Sequence, residues 1–147
     1  MSTRCNIVLK DMFGHEMIFY RHSDGYPEGV APTLNKFMEW LREGRIRDNT
    51  SQAGGWLIIL GAAEYNYKCG DNFGEQIPLH TPLSAYIPDS TQAGCGWKVG
   101  AYEPTTAIHG DIEYLYEINL QTGTLKGWEY RNKKGKPVKI PAIAEAA

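Results

Sequence analysis

Phe19-Tyr20-Arg21-His22-Ser23-Asp24-Gly25-Tyr26-Pro27-Glu28-Gly29 sets the architecture of the chain, because a strand runs into it and a helix runs out of it. Met17 to His22 is rich in β-forming residues, and alternation places Ile18, Tyr20 and His22 on one face and Met17, Phe19 and Arg21 on the other. Downstream, Leu34, Phe37, Met38 and Leu41 recur at i, i+3, i+4 and i+7, the stripe of an amphipathic helix. Pro32 suits the first turn of that helix, and Gly44 suits its C-cap. Between strand and helix, Asp24-Gly25 supplies a turn and Pro27 pushes Tyr26 into an extended conformation.

Towards the N-terminus, Arg4 to Asp11 alternates as a strand, with Ile7 and Leu9 on one face and Asn6, Val8 and Lys10 on the other. Met12-Phe13-Gly14-His15 joins it to the next strand as a hairpin loop. Towards the C-terminus, Asp48, Asn49 or Thr50 caps a second helix running to about Tyr67. That helix is apolar on nearly all sides, which reads as a buried central element. A buried strand over Trp56–Leu60 is the rival, since each glycine weakens a helix by ~1 kcal/mol.

The stretch 68–96 reads as a long connection. Trp97 to Glu103 reads as a strand ending at Pro104. Asp111 to Leu120 alternates, with Ile112, Tyr114, Tyr116, Ile118 and Leu120 facing one way. Gln121-Thr122-Gly123-Thr124 turns the chain, and Leu125 to Arg131 returns. The order β-β-α-α-β-β-β, with a hairpin at each end, predicts a single α+β domain over 1–131. Its sheet is expected to be mostly antiparallel, with two helices packed on one face. Residues 132–147 start basic, end in small residues, and read as a loosely ordered tail.

A chain of 147 residues suits one domain, which buries about 68–70% of its unfolded surface. A net charge of −2 gives no general attraction to nucleic acid or to membranes. Cys5, Cys69 and Cys95 are odd in number and lack zinc-ligand spacing, which favours reduced thiols and a cytoplasmic location; a Cys69–Cys95 pairing stays open. The start of the chain has no signal-peptide pattern, and the apolar run Trp56–Ala63 is far short of the ~20 residues a membrane span needs.

Two polar constellations stand out. One is His22-x-Asp24 with Arg21, Tyr26 and Glu28; the other is His109-Gly110-Asp111 followed by Glu113. Imidazole beside carboxylates suits acid–base work near neutral pH or metal ligation, although turn formation alone accounts for much of the same pattern. The spacing defines no metal site, and no metal or other cofactor is assigned. Ser2 as an N-terminal nucleophile and a Cys5–His22 couple are further, thinner options. Lys126 to Arg131 with Lys133, Lys134, Lys136 and Lys139 reads as a lysine-protected strand edge rather than a nucleic-acid surface. Gly-x-Gly-x-x-Gly, the P-loop, Gly-x-Ser-x-Gly and His-Glu-x-x-His are all absent from the sequence.

The segments Ser2-Thr3-Arg4-Cys5-Asn6-Ile7 and Tyr20 to Gly29 resemble small bacteriophage and prophage proteins. Those proteins begin Met-Ser-Thr-Arg-Ser/Cys-Asn-Ile and carry His-x-Asp-Gly-Tyr-Pro after a short hairpin. Tyr102-Glu103-Pro104-Thr105-Thr106 and Ile108 to Tyr116 are similar to a subset of them. The resemblance implies a phage context in a bacterial host cell and supplies no reaction.

If the terminal hairpins are neighbours in one sheet, the two constellations converge. The candidate ligand-binding residues are then Arg4, Asn6, Arg21, His22, Asp24, Tyr26, Glu28, His109, Asp111 and Glu113. The expectation is a phage-type accessory protein that binds a small polar, nucleotide-like ligand or a host protein, for instance to counter host defence by sequestering an immune signal. Two alternatives remain: a hydrolase or transferase using His22 or His109, with or without metal, and a protein-binding inhibitor acting through the 68–96 connection. Self-association is compatible with any of these.

Overall fold

The computed structural model describes residues 3–68, 102–131 and 134–140. Its elements are β1 (Cys5–Lys10), β2 (Glu16–Arg21), α1 (Pro27–Arg42), α2 (Thr50–Lys68), β3 (Glu103–Thr105), β4 (Tyr114–Asn119), β5 (Thr124–Arg131) and β6 (Lys134–Val138). The strands form one sheet in the order β3-β2-β1-β4-β5-β6. The fold is α+β, as the residue pattern implies.

The sheet is mixed, which corrects the mostly antiparallel expectation. β1 pairs antiparallel with β2 but parallel with β4, Ile7 standing opposite Phe19 on one side and Tyr116 on the other. The chain leaves β2, runs through both helices and returns as β3 on the outer side of β2; residues 106–113 then carry it past β2 and β1 into β4, in the direction of β1. A parallel neighbour needs such a crossover. Alternation along Tyr114–Asn119 looks the same in either direction, so the sequence carries no mark of it.

The β1–β2 and β4–β5 hairpins are each tied by one side chain. Asp11 Oδ1 accepts the N–H groups of Phe13 and His15, while Gly14 takes a φ of +81°. Asn119 Oδ1 accepts those of Gln121 and Thr122, and the Arg42 guanidinium donates twice to the Gly123 carbonyl. That last contact fixes the end of α1 to the β4–β5 turn.

α1 starts at Pro27, five residues before the proline expected to open it. Tyr26 is the extended N-cap (φ −69°, ψ 160°), and the Val30 N–H donates to its carbonyl, closing the first turn ahead of Pro32. Pro32 therefore lies inside the helix, where it forgoes one bond to the Glu28 carbonyl. The C-terminus is a Schellman motif: Gly44 at φ +76° donates to Leu41 and Arg45 donates to Trp40.

α2 is a helix rather than a strand, capped by Asn49 Oδ1 accepting the Gln52 N–H. It is not buried on all sides, since Trp56 and Ile58 are 37% and 38% exposed. Its buried stripe is Ala53, Leu57 and Leu60. Gly54 lets α2 come close to β2; a Cβ there would stand 2.9 Å from Phe19 Cζ. The core cluster joins Ile7, Leu9, Phe19, Tyr116 and Ile118 of the sheet to Leu34, Phe37 and Leu57 of the helices.

The stretch expected to begin a loose tail instead supplies the edge strand β6. It pairs Trp128 with Pro137 and Glu129 with Lys136. Lysines and a proline blunt that edge, so the feature that made the stretch look like a tail is what an exposed edge strand requires. Of the strand expected at Trp97–Glu103, only Glu103 belongs to β3, and residues 97–101 fall outside the described residues. The 69–101 connection, Cys69, Cys95 and Ser2 also lie outside them.

Candidate functional site

The sheet has a face away from the core cluster, carried by Asn6 and Val8 of β1, Ile18 and Tyr20 of β2, and Leu115 of β4, which share register. Asn6 is fully buried although polar, and both ends of its amide are used. Nδ2 donates to the Phe19 carbonyl at 2.9 Å, and Oδ1 accepts the His109 N–H at 2.8 Å. That second bond holds the segment between β3 and β4 against β2. The Arg4 carbonyl accepts the Glu113 N–H at 2.9 Å and anchors the segment's far end. A buried amide with a missing partner costs about 1–3 kcal/mol, so Asn6 specifies where this segment lies.

Held in this way, His109 stacks on Tyr20, with ring centroids 4.3 Å apart and planes 13° apart. His109 Nε2 lies 3.2 Å from Thr105 Oγ1, and the Tyr20 hydroxyl lies 2.8 Å from His22 Nδ1. Arg4 Nε faces Asp111 Oδ2 at 3.6 Å. Burial, helped by the charges of Asp111 and Glu103 and opposed by Arg4, raises the Tyr20 phenol above its ordinary range. The Tyr20 hydroxyl and His22 Nδ1 share one hydrogen bond, donated by whichever of the two carries the proton in the prevailing tautomer.

These contacts bring together five of the ten residues expected at the site: Arg4, Asn6, His22, His109 and Asp111. Glu113 contributes its backbone to the anchor at Arg4. Arg21 does not join them. It points into the core as one of the largest fully buried side chains, donating to the Ser23 and Gly29 carbonyls and to the Tyr102 hydroxyl. Its guanidinium also lies 5.1 Å from the centre of the Tyr102 ring, and Thr33 hydrogen-bonds the same hydroxyl. Alternation put Arg21 opposite His22, and a charge on the core face has to be tied down there.

Asp24, Tyr26 and Glu28 form a separate group at the start of α1. Asp24 adopts a φ of +56°, and burial together with the Asp24 carboxylate holds the Tyr26 phenol above its ordinary range. The junction is tight: a Cβ on Gly29 would stand 2.1 Å from the Asp24 carbonyl oxygen, and Tyr116 donates to the Gly25 carbonyl at 2.7 Å. Cys5 is fully buried, in register with Arg21 on the core face.

Tyr20, Thr105 and Glu103 belong to the cluster but were not among the expected residues. Tyr20 read as a β-former, and its partner His109 lies far along the chain. The repeated His-x-Asp pattern was the one available sign that the two segments share a location.

Arg4, Tyr20, His22 and His109 are half-buried and Asp111 is exposed. Two grooves lie elsewhere: one of about 620 Å³ bordered by Met38, Leu125, Trp128 and Val138, and one of about 440 Å³ between Ile46 and the 120–123 turn. Among the described residues, no three His, Cys, Asp or Glu side chains group as a metal site requires, and no helix is long and apolar enough to cross a membrane. Comparison with family models, curated proteins and solved structures returns no match.

Proposed function

We propose that the chain is a phage-type accessory protein that binds a small, polar, ring-bearing ligand of nucleotide-like chemistry on the Tyr20–His109 platform. In this reading both helices cover one face of the sheet and leave the opposite face for the ligand. The observation that carries it is the Tyr20–His109 stack with His22 at the Tyr20 hydroxyl and Arg4 paired to Asp111, two residues along from His109. An aromatic pair offers a π-face to a planar ligand, while the Arg4 guanidinium supplies donors and the His22 imidazole a second polar group. The phage context comes from the resemblance of Ser2–Ile7 and Tyr20–Gly29 described above.

An acid–base enzyme built on these residues is the weaker reading. Each imidazole already commits a ring nitrogen to a hydroxyl, and a phenol with a raised pKa is a poor nucleophile at neutral pH. A protein-binding inhibitor acting through the 68–96 connection rests on residues outside those described beyond Lys68.

The test is a thermal-shift screen against nucleosides and nucleotides, followed by calorimetry on any hit. A ligand at 100 times its Kd stabilises the folded state by about 2.7 kcal/mol, a readily detected shift. The expected result is saturable binding without turnover, lost in Tyr20→Ala. A complete screen with no stabilising compound contradicts the proposal.

A further inference from the structure

We infer that Asp111 is an internal stand-in for the ligand's anionic group, and that a phosphate-bearing ligand displaces its carboxylate from Arg4 on reaching the Tyr20–His109 platform. This rests on the binding reading above and narrows it to a ligand carrying both a ring and a phosphate.

The geometry of the pair is that of an exchangeable partner. Arg4 Nε and Asp111 Oδ2 are 3.6 Å apart, well beyond the roughly 2.7–2.9 Å of a strong charge-assisted bond. The two side chains are 35% and 63% exposed, and ion pairs this open contribute little. A phosphate brings more charge than a carboxylate and matches the guanidinium fork with two oxygens.

Displacement needs no backbone movement. The segment bearing Asp111 is held at His109 by Asn6 and at Glu113 by the Arg4 carbonyl, and neither bond involves the Asp111 side chain. A rotamer change at Asp111 is sufficient to release Arg4. The remaining charged neighbour acting on Tyr20 is Glu103, which is exposed and negative. With Asp111 on Arg4 and Glu103 also acting on Tyr20, the platform carries two carboxylates against one guanidinium, and a free anion gains little by entering. The ring must contribute stacking before the exchange becomes favourable. The pair thus selects against inorganic phosphate alone.

The experiment compares the four common ribonucleosides, their 5′-monophosphates and inorganic phosphate by calorimetry, on the unaltered chain and on Asp111→Asn. The expected result is that at least one monophosphate binds more tightly than its nucleoside. Asp111→Asn should tighten that monophosphate by about two- to fivefold, the scale of an exposed ion pair, and leave the nucleoside unchanged. Arg4→Gln should remove the difference between the two. If nucleoside and monophosphate bind alike, or Asp111→Asn leaves the monophosphate unchanged, the stand-in role is overturned while the platform survives. If nothing binds to either protein, the platform falls as well.

Discussion

The ring of Tyr20 on β2 lies nearly parallel to that of His109, 4.3 Å away, and the contact exists because the side chain of Asn6, the register partner of Tyr20 on β1, holds the His109 backbone. Stacked aromatic pairs contribute about 0.5–1.5 kcal/mol beyond their buried area. A double-mutant cycle of Tyr20→Ala and His109→Ala, followed by urea denaturation, should return a coupling energy in that range. Strict additivity would mean that the contact does not hold the segment.

Asn6→Ala should cost more than either ring. It orphans the Phe19 carbonyl partner and the His109 N–H together, so a loss of about 2–4 kcal/mol is expected from two buried groups. Hydrogen exchange at the His109 amide should accelerate in the same variant. An unchanged exchange rate would separate Asn6 from the segment's position.

Gly29→Ala tests the strand-to-helix junction. The added Cβ would meet the Asp24 carbonyl oxygen at 2.1 Å, and Asp24 already holds a positive φ. Alanine normally favours a helix over glycine by about 1 kcal/mol, yet here the clash should dominate and destabilise by about 2 kcal/mol or more. A stabilised variant would show that the junction gives way easily.

Arg21→Lys is expected to be no conservative change. Lysine cannot reproduce a fork that reaches Ser23, Gly29 and Tyr102 at once, so a loss of about 3 kcal/mol should appear in equilibrium unfolding. Binding at the platform should be retained by whatever fraction folds, because Arg21 lies on the other face.

Alkaline pH should unfold the protein through its tyrosines. Burial pushes the Tyr116 phenol far above its ordinary value, and the Tyr20 and Tyr26 phenols are raised in the same sense. Unfolded tyrosine ionises near pH 10 while these stay protonated in the fold, so the unfolded state binds fewer protons above that pH. Stability is then fully present below about pH 10 and falls as pH rises, by up to about 1.4 kcal/mol per pH unit for the buried Tyr116, with smaller contributions from the more exposed Tyr20 and Tyr26. Lys10, half-buried, shifts in the same sense through its bond to Glu117. Tyr116→Phe should flatten the slope; an equal slope in that variant would rule out Tyr116 as its source.

What could be read from the residues follows from local physics. The alternation in β1 and β2 and the Leu34, Phe37, Met38, Leu41 stripe each report a two-faced element, and all four stripe residues are buried. Gly44 reports a left-handed C-cap. The first turn of α1 was read at Pro32, but the helix already starts at Pro27, where the Val30 N–H reaches the Tyr26 carbonyl and Gly29 packs on Asp24, contacts invisible in one dimension. The parallel pairing of β1 with β4 leaves no periodic trace. Of the candidate site, His22, His109 and Asp111 were legible because their polarity asked for an explanation; the same criterion wrongly drew in Arg21, whose charge is tied down on the core face. Tyr20 was not, because an aromatic side chain in a strand needs no further explanation until its neighbours are known.

The most direct test follows the imidazole signals of His22 and His109 by proton–carbon NMR while ribonucleoside monophosphates are titrated in. Both histidines should shift in a saturable way with at least one nucleotide, His15 should stay still, and Tyr20→Ala should abolish the response. Histidine signals that do not move with any nucleotide, or shifts confined to residues lining the groove between Met38 and Val138, would contradict a ligand platform at Tyr20 and His109.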